Sequence, residues 1–259
     1  MHNNQWLALE TSTDTLSLAV ARGTQTWTHT SAGGALTSTH MIPQTLALLK
    51  EADLALADLQ AVVFGRGPGA FTGLRTACAV AQGLAYGANL PVLPLDTLLA
   101  VAEEARVAHA ATDVGPVTRV LAVMDARMAQ VYVAAYEFTP NEGDEETRNP
   151  MPGTWRCVQT PELQSPEALF WPTDWTPESF IAAGNAWPVY AGQWPDALTA
   201  ARVMALPTAA ALVRLAPTAW AAGWAVPPEE ALPLYIRDKV AQTTEERMHI
   251  KAQQAEGGP

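Results

Sequence analysis

A glycine-rich stretch at residues 65–75, GRGPGAFTGLR, constrains the fold more than any other feature of the sequence. It joins a short apolar run, residues 61–64, to a long run of small and apolar residues, 76–87. This order predicts a buried strand, a tight turn and a helix. Glycines at alternate positions let the backbone take positive φ values, and Pro68 stiffens the turn. Free N–H groups at the start of the helix would point into the turn, where an anion could bind.

The loop matches neither common phosphate-binding pattern, because it lacks both the Lys-Ser/Thr ending of a P-loop and the G-x-G-x-x-G spacing of a dinucleotide fold. A turn that lets a helix pack close to its strand is the simpler interpretation. The alternative is a nucleotide site that uses Gly67 and Gly69 together with Glu10. Glu10 ends an apolar run and is followed by Thr11 and Ser12, an arrangement that can manage a phosphate but also occurs in ordinary turns.

Composition indicates a folded, acidic protein. The chain has 259 residues, 49% of them hydrophobic, a net charge of −11 and a pI of about 4.8. The average electrostatic field of so acidic a protein would repel a tRNA backbone, so a partner is expected to supply any contacts with nucleic acid. No apolar run approaches the roughly 18 residues of a membrane span, and no signal peptide is recognisable. With Cys78 and Cys157 far apart, we expect a reduced, cytoplasmic protein without a membrane association.

The histidines do not predict a metal site. None of the five stands three or four residues from another, whereas a helical zinc pair needs that spacing. His40, just before a predicted helix, is therefore expected to be a capping or interface residue, and no metal ligand is predicted.

Two predicted helices, residues 39–52 and 72–87, carry more apolar surface than one sheet face can cover. The excess indicates either a second subunit or complete burial within one chain, and the pattern alone favours neither. An external face would be an apolar patch of several hundred Å², which usually marks a partner site.

The element order divides the chain into two subdomains. Three strands, then alternating helices and strands, fill residues 1–112, and an antiparallel hairpin starts a second unit, 113–206. We expect helix 207–222 to join the first subdomain. Residues 223–259 form a C-terminal extension whose polar tail is predicted to fray. The second unit contains an acidic loop, 141–149, that is expected to be mobile.

Four segments in this order resemble the bacterial TsaB (YeaZ) family over nearly the whole chain: LALETST at 7–13, the glycine-rich block, VMDARM at 123–128 with Val131 and Tyr132, and PLYIR at 233–237. The resemblance implies an α/β actin-like ATPase (ASKHA, RNase H-like) fold with two subdomains and mixed sheets flanked by helices. Glu10 departs from the Asp that is usual in the family.

The resemblance also implies a function. Family members are non-catalytic dimerisation or activating subunits that pair with TsaD, the transferase forming N6-threonylcarbamoyladenosine at position 37 of tRNAs reading ANN codons. TsaE, an ATPase, joins the TsaB–TsaD pair, and TsaC supplies threonylcarbamoyl-AMP. ATP and threonylcarbamoyl-AMP thus belong to the complex, this chain alone binds no cofactor tightly, and tRNA is met only through the complex. No catalytic residue is predicted in this chain.

In the family the two helices meet the equivalent pair of the partner as a four-helix bundle. The predicted interface is therefore His40, Met41, Thr45, Phe71, Arg75, Ala77, Cys78, Ala81, Gln82 and Ala85. A glutamate at position 77 or 81 is expected to block pairing, and the fold should survive if the altered face is external. Whether the isolated chain forms a homodimer is left open.

Two other classes of protein remain as alternatives. An ATP-dependent kinase or transferase of the actin-like fold would need a phosphate loop in each half. Residues 183–185 are a poor candidate for the loop of the second half. An M22-type metallopeptidase-like protein would need the histidine pair that the spacing disfavours.

Overall fold

A computed structural model describes residues 4–34, 37–110, 117–141 and 153–237. The predicted acidic loop, from residue 142, and the predicted frayed tail lie outside the described residues. The strands are β1 Gln5–Glu10, β2 Thr15–Arg22, β3 Gln25–Ala32, β4 Ala61–Gly67, β5 Val92–Asp96, β6 Arg119–Asp125, β7 Val131–Pro140, β8 Gly153–Gln164, β9 Ile181–Ala183 and β10 Ala201–Val203. The helices are α1 Thr37–Glu51, α2 Phe71–Ala88, α3 Thr97–Ala110 and α4 Ala209–Ala221.

The strands form two five-stranded sheets of the same topology. The first has the order β3-β2-β1-β4-β5 and the second the order β8-β7-β6-β9-β10. In each sheet the first three strands of the chain pair antiparallel, while the last two run parallel to the first. The molecule therefore consists of two lobes built on one plan, which is the actin-like, RNase H-like architecture that the sequence predicts.

Two helices fill the space between the lobes. The helix α3, which follows the first sheet, packs on β6 and β7 of the second, while α4, which follows the second sheet, packs on β1 and β2 of the first. Their alanine-rich and leucine-rich faces join one core cluster that includes strands from both sheets. Thr208 caps α4 by accepting the N–H of Ala211 at 3.0 Å. This exchange of helices ties the two lobes together, and the predicted subdomain boundaries stay predictions.

The outer faces of the two sheets are covered differently. On the first lobe, α1 and α2 lie side by side on the sheet and bury a core of aliphatic residues. On the second lobe, the connections between β8, β9 and β10 contain only short 3-10 turns among the described residues. A cluster rich in tryptophan, which includes Trp175, Trp187 and Trp194, covers that sheet instead. In the described ranges, no helix is both long and apolar enough to cross a membrane.

Candidate functional site

The glycine-rich loop lies directly against the turn that follows β1. The amide of Ala70 donates a hydrogen bond to the carbonyl oxygen of Ser12 at 2.8 Å. A Cβ on Gly69 would come within 2.5 Å of the Ser12 side chain, and Gly67, at φ +120°, would bring one within 2.6 Å of the Leu234 carbonyl oxygen. The glycines thus permit close packing of backbone on backbone. At Gly69 and Ala70 the two loops are in direct contact, and the Ala70 amide is bonded to protein.

Glu10 is buried beneath the same loop and is only 1% exposed. Its Oε1 accepts the N–H of Ser12 at 2.6 Å, and its Oε2, which has no partner among the described residues, lies against the Cα of Gly65. Burial raises the pKa of this carboxyl above its ordinary value, although the hydrogen bonds from Ser12 oppose the shift. Neither Glu10 nor Gly67 lines the cleft between the lobes, and the predicted cofactor contacts of these two residues stay predictions.

That cleft holds a cavity of about 470 Å³. Gly69 is the one of the three predicted cofactor residues that lines it. Arg127 spans the mouth, pairing with Asp14 of the first lobe at 3.2 Å and with Asp125 of its own lobe at 3.3 Å. The other lining residues are Ser12, Thr13, Thr15, Ala70, Phe71, Met124, Ala126, Met128, Tyr132, Asn185, Met204, Leu206 and Arg237. The cleft is mostly apolar, and Asp14, Asp125 and Arg127 form ion pairs with one another at its mouth.

Residues 231–237, which we call the C-terminal clasp, start on the first lobe beside α2. The carbonyl oxygen of Ala231 accepts hydrogen bonds from Cys78 Sγ at 3.3 Å and Gln82 Nε2 at 3.0 Å. The amide of Leu234 donates to the Arg66 carbonyl oxygen at 2.6 Å. Further along, Tyr235 stacks on Phe71 with ring centroids 4.9 Å apart. The clasp is therefore anchored along α2 by backbone, side-chain and aromatic contacts.

The clasp ends on the second lobe. Arg237, 9% exposed, donates through Nη2 to Gln130 Oε1 at 2.7 Å and to the Arg127 carbonyl oxygen at 3.2 Å. Both acceptors belong to the turn between β6 and β7, where Arg127, Met128 and Ala129 all have positive φ. Such a run is unfavourable for residues other than glycine, so it needs support from its surroundings. Arg237 provides that support from the far end of the chain.

The surface of α1 and α2 that points away from the sheet is apolar and exposed. Ile42 is 44% exposed, Leu46 49% and Tyr86 79%. Ala79 and Gly83 are exposed between them along α2. We call these five residues the outer helical face. Because helical spacing places residues 79, 83 and 86 on one side, small side chains there allow another helix to approach closely.

Six residues of the predicted interface do not lie on this face. Met41, Thr45, Ala77, Cys78, Ala81 and Ala85 are all at most 5% exposed. They pack between the two helices and the first sheet. Ala77 and Ala81 are therefore not on an external face, and the condition under which the fold was expected to survive a glutamate there is not met.

The other four predicted interface residues have mixed positions. His40 and Arg75 are exposed, the latter with its Nε donating to the Tyr235 hydroxyl at 3.1 Å. Phe71 and Gln82 are half-buried and contact the clasp. The interface predicted from the sequence follows the more apolar line of each helix, which is the line that faces the sheet. In the sequence, the small residues at positions 79 and 83 and the nearby Tyr86 are the pattern that indicates the outer face.

Comparison with known proteins agrees with this architecture. The family model described as "TsaD: tRNA N6-adenosine threonylcarbamoyltransferase" matches residues 24–244. The chain is thus of the class of two-lobed proteins that includes this transferase. Among solved structures, "YeaZ from Pseudomonas aeruginosa" superposes with a TM-score of 0.73 at 33% identity, covering 89% of this chain and 99% of that one.

Curated relatives narrow the class. The "tRNA threonylcarbamoyladenosine biosynthesis protein TsaB" of Escherichia coli is 31% identical over 91% of this chain and 95% of the relative. The protein of the same name from Haemophilus influenzae is 32% identical over 93% of this chain and 96% of the relative. The chain belongs to the TsaB (YeaZ) family.

Proposed function

We propose that this chain is a non-catalytic subunit of the assembly that forms N6-threonylcarbamoyladenosine at position 37 of tRNAs reading ANN codons. Its direct partner is a TsaD-type transferase, and a TsaE-type ATPase joins the pair. The assembly works in the cytoplasm. The observation that carries the proposal is the outer helical face, which exposes Ile42, Leu46 and Tyr86 on two adjacent helices of a chain that belongs to the TsaB family.

The face suits a protein partner. Large apolar side chains at its edges would supply buried area, and Ala79 and Gly83 between them would admit a facing helix at short distance. Proteins that remain monomeric rarely expose such side chains together. None of its five residues carries a charge, and exposed cations, Lys50 on α1 and Arg75 on α2, stand one helical turn from Leu46 and Ala79.

The glycine-rich loop supports the non-catalytic part of the proposal. The Ala70 amide is already bonded to the Ser12 carbonyl oxygen, and Glu10 is enclosed beneath Gly65. A nucleotide would have to break the first contact and could not reach the second residue without movement of the loop. In the described ranges, no three His, Cys, Asp or Glu side chains are grouped to hold a metal ion. The assignment of ATP and threonylcarbamoyl-AMP to the partners rests on membership of the TsaB family and stays part of the proposal.

Reconstitution with purified components tests the proposal. Threonylcarbamoyl-AMP, ATP and tRNA are supplied to homologues of TsaD and TsaE from the same organism, with and without this chain. Mass spectrometry of the digested tRNA then quantifies the modified adenosine. We expect turnover only when TsaD and this chain are both present, and none from this chain alone. Turnover by the chain alone would contradict the non-catalytic assignment, while full activity without the chain would contradict its role as a required subunit.

The tRNA is expected to bind the assembly and not the isolated chain. At a net charge of −11 the chain releases few counterions on approaching a polyanion. A filter-binding titration measures this directly. A salt-sensitive, submicromolar complex between tRNA and the isolated chain would overturn the assignment of tRNA contacts to the partners.

A further inference from the structure

A second cavity, of about 450 Å³, lies on the side of the molecule away from the outer helical face. It is enclosed by α3, α4 and the start of β8, and it does not share a residue with the cleft between the lobes. Its walls are mainly apolar and include three aromatic rings, those of Phe138, Trp155 and Trp224. A volume and lining of this kind are typical of sites for small molecules.

The floor of the cavity is a buried ionic network. Glu103 is 3% exposed and Arg106 is 7% exposed. The two Glu103 oxygens accept four hydrogen bonds: from Nε and Nη2 of Arg106, both at 2.9 Å, from Arg214 Nε at 3.0 Å and from Trp155 Nε1 at 3.0 Å. Four donors saturate a carboxylate. Glu103 therefore has no capacity left to accept a hydrogen bond from a ligand.

The hydrogen-bonding groups of this floor that remain unused are donors. Arg214 donates through Nε to Glu103 and through Nη2 to Glu104, while Arg106 donates through both Nε and Nη2 to Glu103. Within the described ranges, no hydrogen bond engages Nη1 of either guanidinium, and neither atom is among the buried polar atoms without a partner. Both residues line the cavity, so these two Nη1 groups are the donors that this floor could offer to a ligand.

Charge limits what these donors can hold. Two guanidiniums are balanced by the carboxylates of Glu103 and Glu104, so a dianion such as a phosphate monoester would bring uncompensated negative charge. A single carboxylate matches the planar guanidinium geometry with less charge. The Arg106 guanidinium also stacks on Phe138, 4.2 Å from the ring centroid, which fixes its orientation before a ligand arrives.

We propose that this cavity is a binding site for a small amphipathic carboxylate, whose acid group bonds Arg106 and Arg214 and whose aromatic or aliphatic body packs against Phe138, Trp155 and Trp224. The site is independent of the outer helical face. It would let a small acid bind this chain whether or not the partner subunit is present.

The test uses hydrocinnamate as the probe and hydrocinnamyl alcohol as its neutral match. The full chain is labelled on tryptophan nitrogen, and the Trp155 indole signal is assigned with Trp155→Phe. This indole donates to Glu103 at the floor of the cavity, so it reports binding at the site. We expect hydrocinnamate to shift the signal saturably and the alcohol to bind about 10-fold more weakly or worse, as expected from the loss of a charge-assisted hydrogen bond.

Two variants locate the binding. Thr218→Trp places a large ring at the exposed rim of the cavity and should abolish the shift without touching the core. Arg214→Met should weaken hydrocinnamate about 10-fold, while Arg202→Met, on the second lobe, should leave it unchanged. Circular dichroism verifies that each variant is folded. Should Arg214→Met fail to fold, Thr218→Trp and the alcohol still decide the question.

Three outcomes would each overturn the proposal. One is the absence of a saturable shift up to about 10 mM hydrocinnamate, a concentration at which even millimolar affinity is visible. Another is equal affinity for acid and alcohol, which would leave the guanidiniums without a role. The last is undiminished binding by folded Thr218→Trp, which would place the probe elsewhere. The activity of the reconstituted assembly enters none of these readouts, so failure here is distinguishable from failure of the proposed function.

Discussion

The two lobes share one strand order but differ in what covers the outer faces of their sheets. The first lobe covers its sheet with α1 and α2, which keep one face buried and one face exposed and apolar. The second lobe replaces the equivalent helices with irregular chain and tryptophans such as Trp175 and Trp194. A helix pair offers a regular ridge for another helix, whereas an irregular aromatic cover does not. The proposed docking surface accordingly lies on the first lobe.

The same comparison holds at the ends of the equivalent strands β1 and β6. Glu10 ends β1 and accepts the N–H of Ser12, and Asp125 ends β6 and accepts the N–H of Arg127. The local hydrogen bond is thus the same in both lobes. Among the described residues Glu10 makes no ion pair, while Asp125 pairs with Arg127 and accepts the hydroxyl of Tyr190 at 2.7 Å. Burial and Asp125 raise the pKa of Tyr190 to about 12, so this hydroxyl remains a donor at neutral pH.

The largest effect is expected from Ala81→Glu, which distinguishes the buried line of α2 from the exposed one. Ala81 is fully buried, so an unpaired carboxylate there should cost several kcal/mol, a large part of the stability of an ordinary domain. Gly83→Glu is the matched control, because a Cβ at Gly83 meets no atom within 4 Å. Urea unfolding followed by circular dichroism compares the two. A stable, folded Ala81→Glu would mean that this line of α2 is not core.

The next effect concerns the clasp that joins the lobes. Arg237→Met removes hydrogen bonds from a nearly buried cation to the β6–β7 turn, and it should lower the free energy of unfolding by about 2 kcal/mol. Hydrogen exchange should quicken selectively at residues 127–130. Arg22→Met, which removes a largely exposed pair with Asp53, is the control and should change stability by less than about 1 kcal/mol. Unchanged exchange in the turn would mean that the turn does not need Arg237.

Glu10 should make the first lobe sensitive to pH. Because burial raises its pKa above 4.5 in the folded protein, folding favours the protonated form. Its contribution to stability is then lost as the pH rises from that value through the raised pKa. Glu10→Gln keeps an acceptor for Ser12 and should raise the melting temperature at about pH 8 but not at about pH 4. A variant with the same pH profile as the parent would contradict this account.

The smallest effect is expected from Asp14→Asn. This substitution cuts the ion pair with Arg127 across the mouth of the cleft, and both side chains are largely exposed, at 90% and 73%. Exposed pairs contribute little, so stability should change by less than about 0.5 kcal/mol. Urea unfolding at low and high salt measures the change. A larger loss would show that the pair, and not the clasp, holds the lobes together.

Much of the fold could be predicted from the sequence because its signals are local. The strand–turn–helix at residues 61–88 and the hairpin around Asp125 follow from apolar runs separated by turn residues. Periodicity also predicted that α2 has two apolar sides, but it could not say which side faces the sheet. The line with Ala77 and Ala81 and the line with Ala79 and Gly83 both consist of small residues. Which of the two lines is buried is decided by how the helix packs on the sheet.

The clasp and the ionic floor could not be predicted, since both depend on residues far apart in the chain. Arg237 meets the turn at Arg127 and Gln130, more than a hundred positions earlier. Arg214 and Glu103 are likewise separated by 111 positions. Neither element has a local pattern. The packing of α3 against α4 brings Glu103 and Arg214 together, and the path of the clasp from α2 to the β6–β7 turn brings Arg237 to its acceptors.

The central claim is that the outer helical face of the first lobe docks the transferase subunit. Titration calorimetry with the TsaD homologue compares Leu46→Glu on that face with Val189→Glu on the second lobe, two apolar residues of similar exposure, 49% and 50%. A charge within a docked apolar interface should raise the Kd by about 100-fold or more, whereas the Val189 variant should bind as the parent does. A folded Leu46→Glu that binds with the parent's affinity would place the interface elsewhere and contradict the claim.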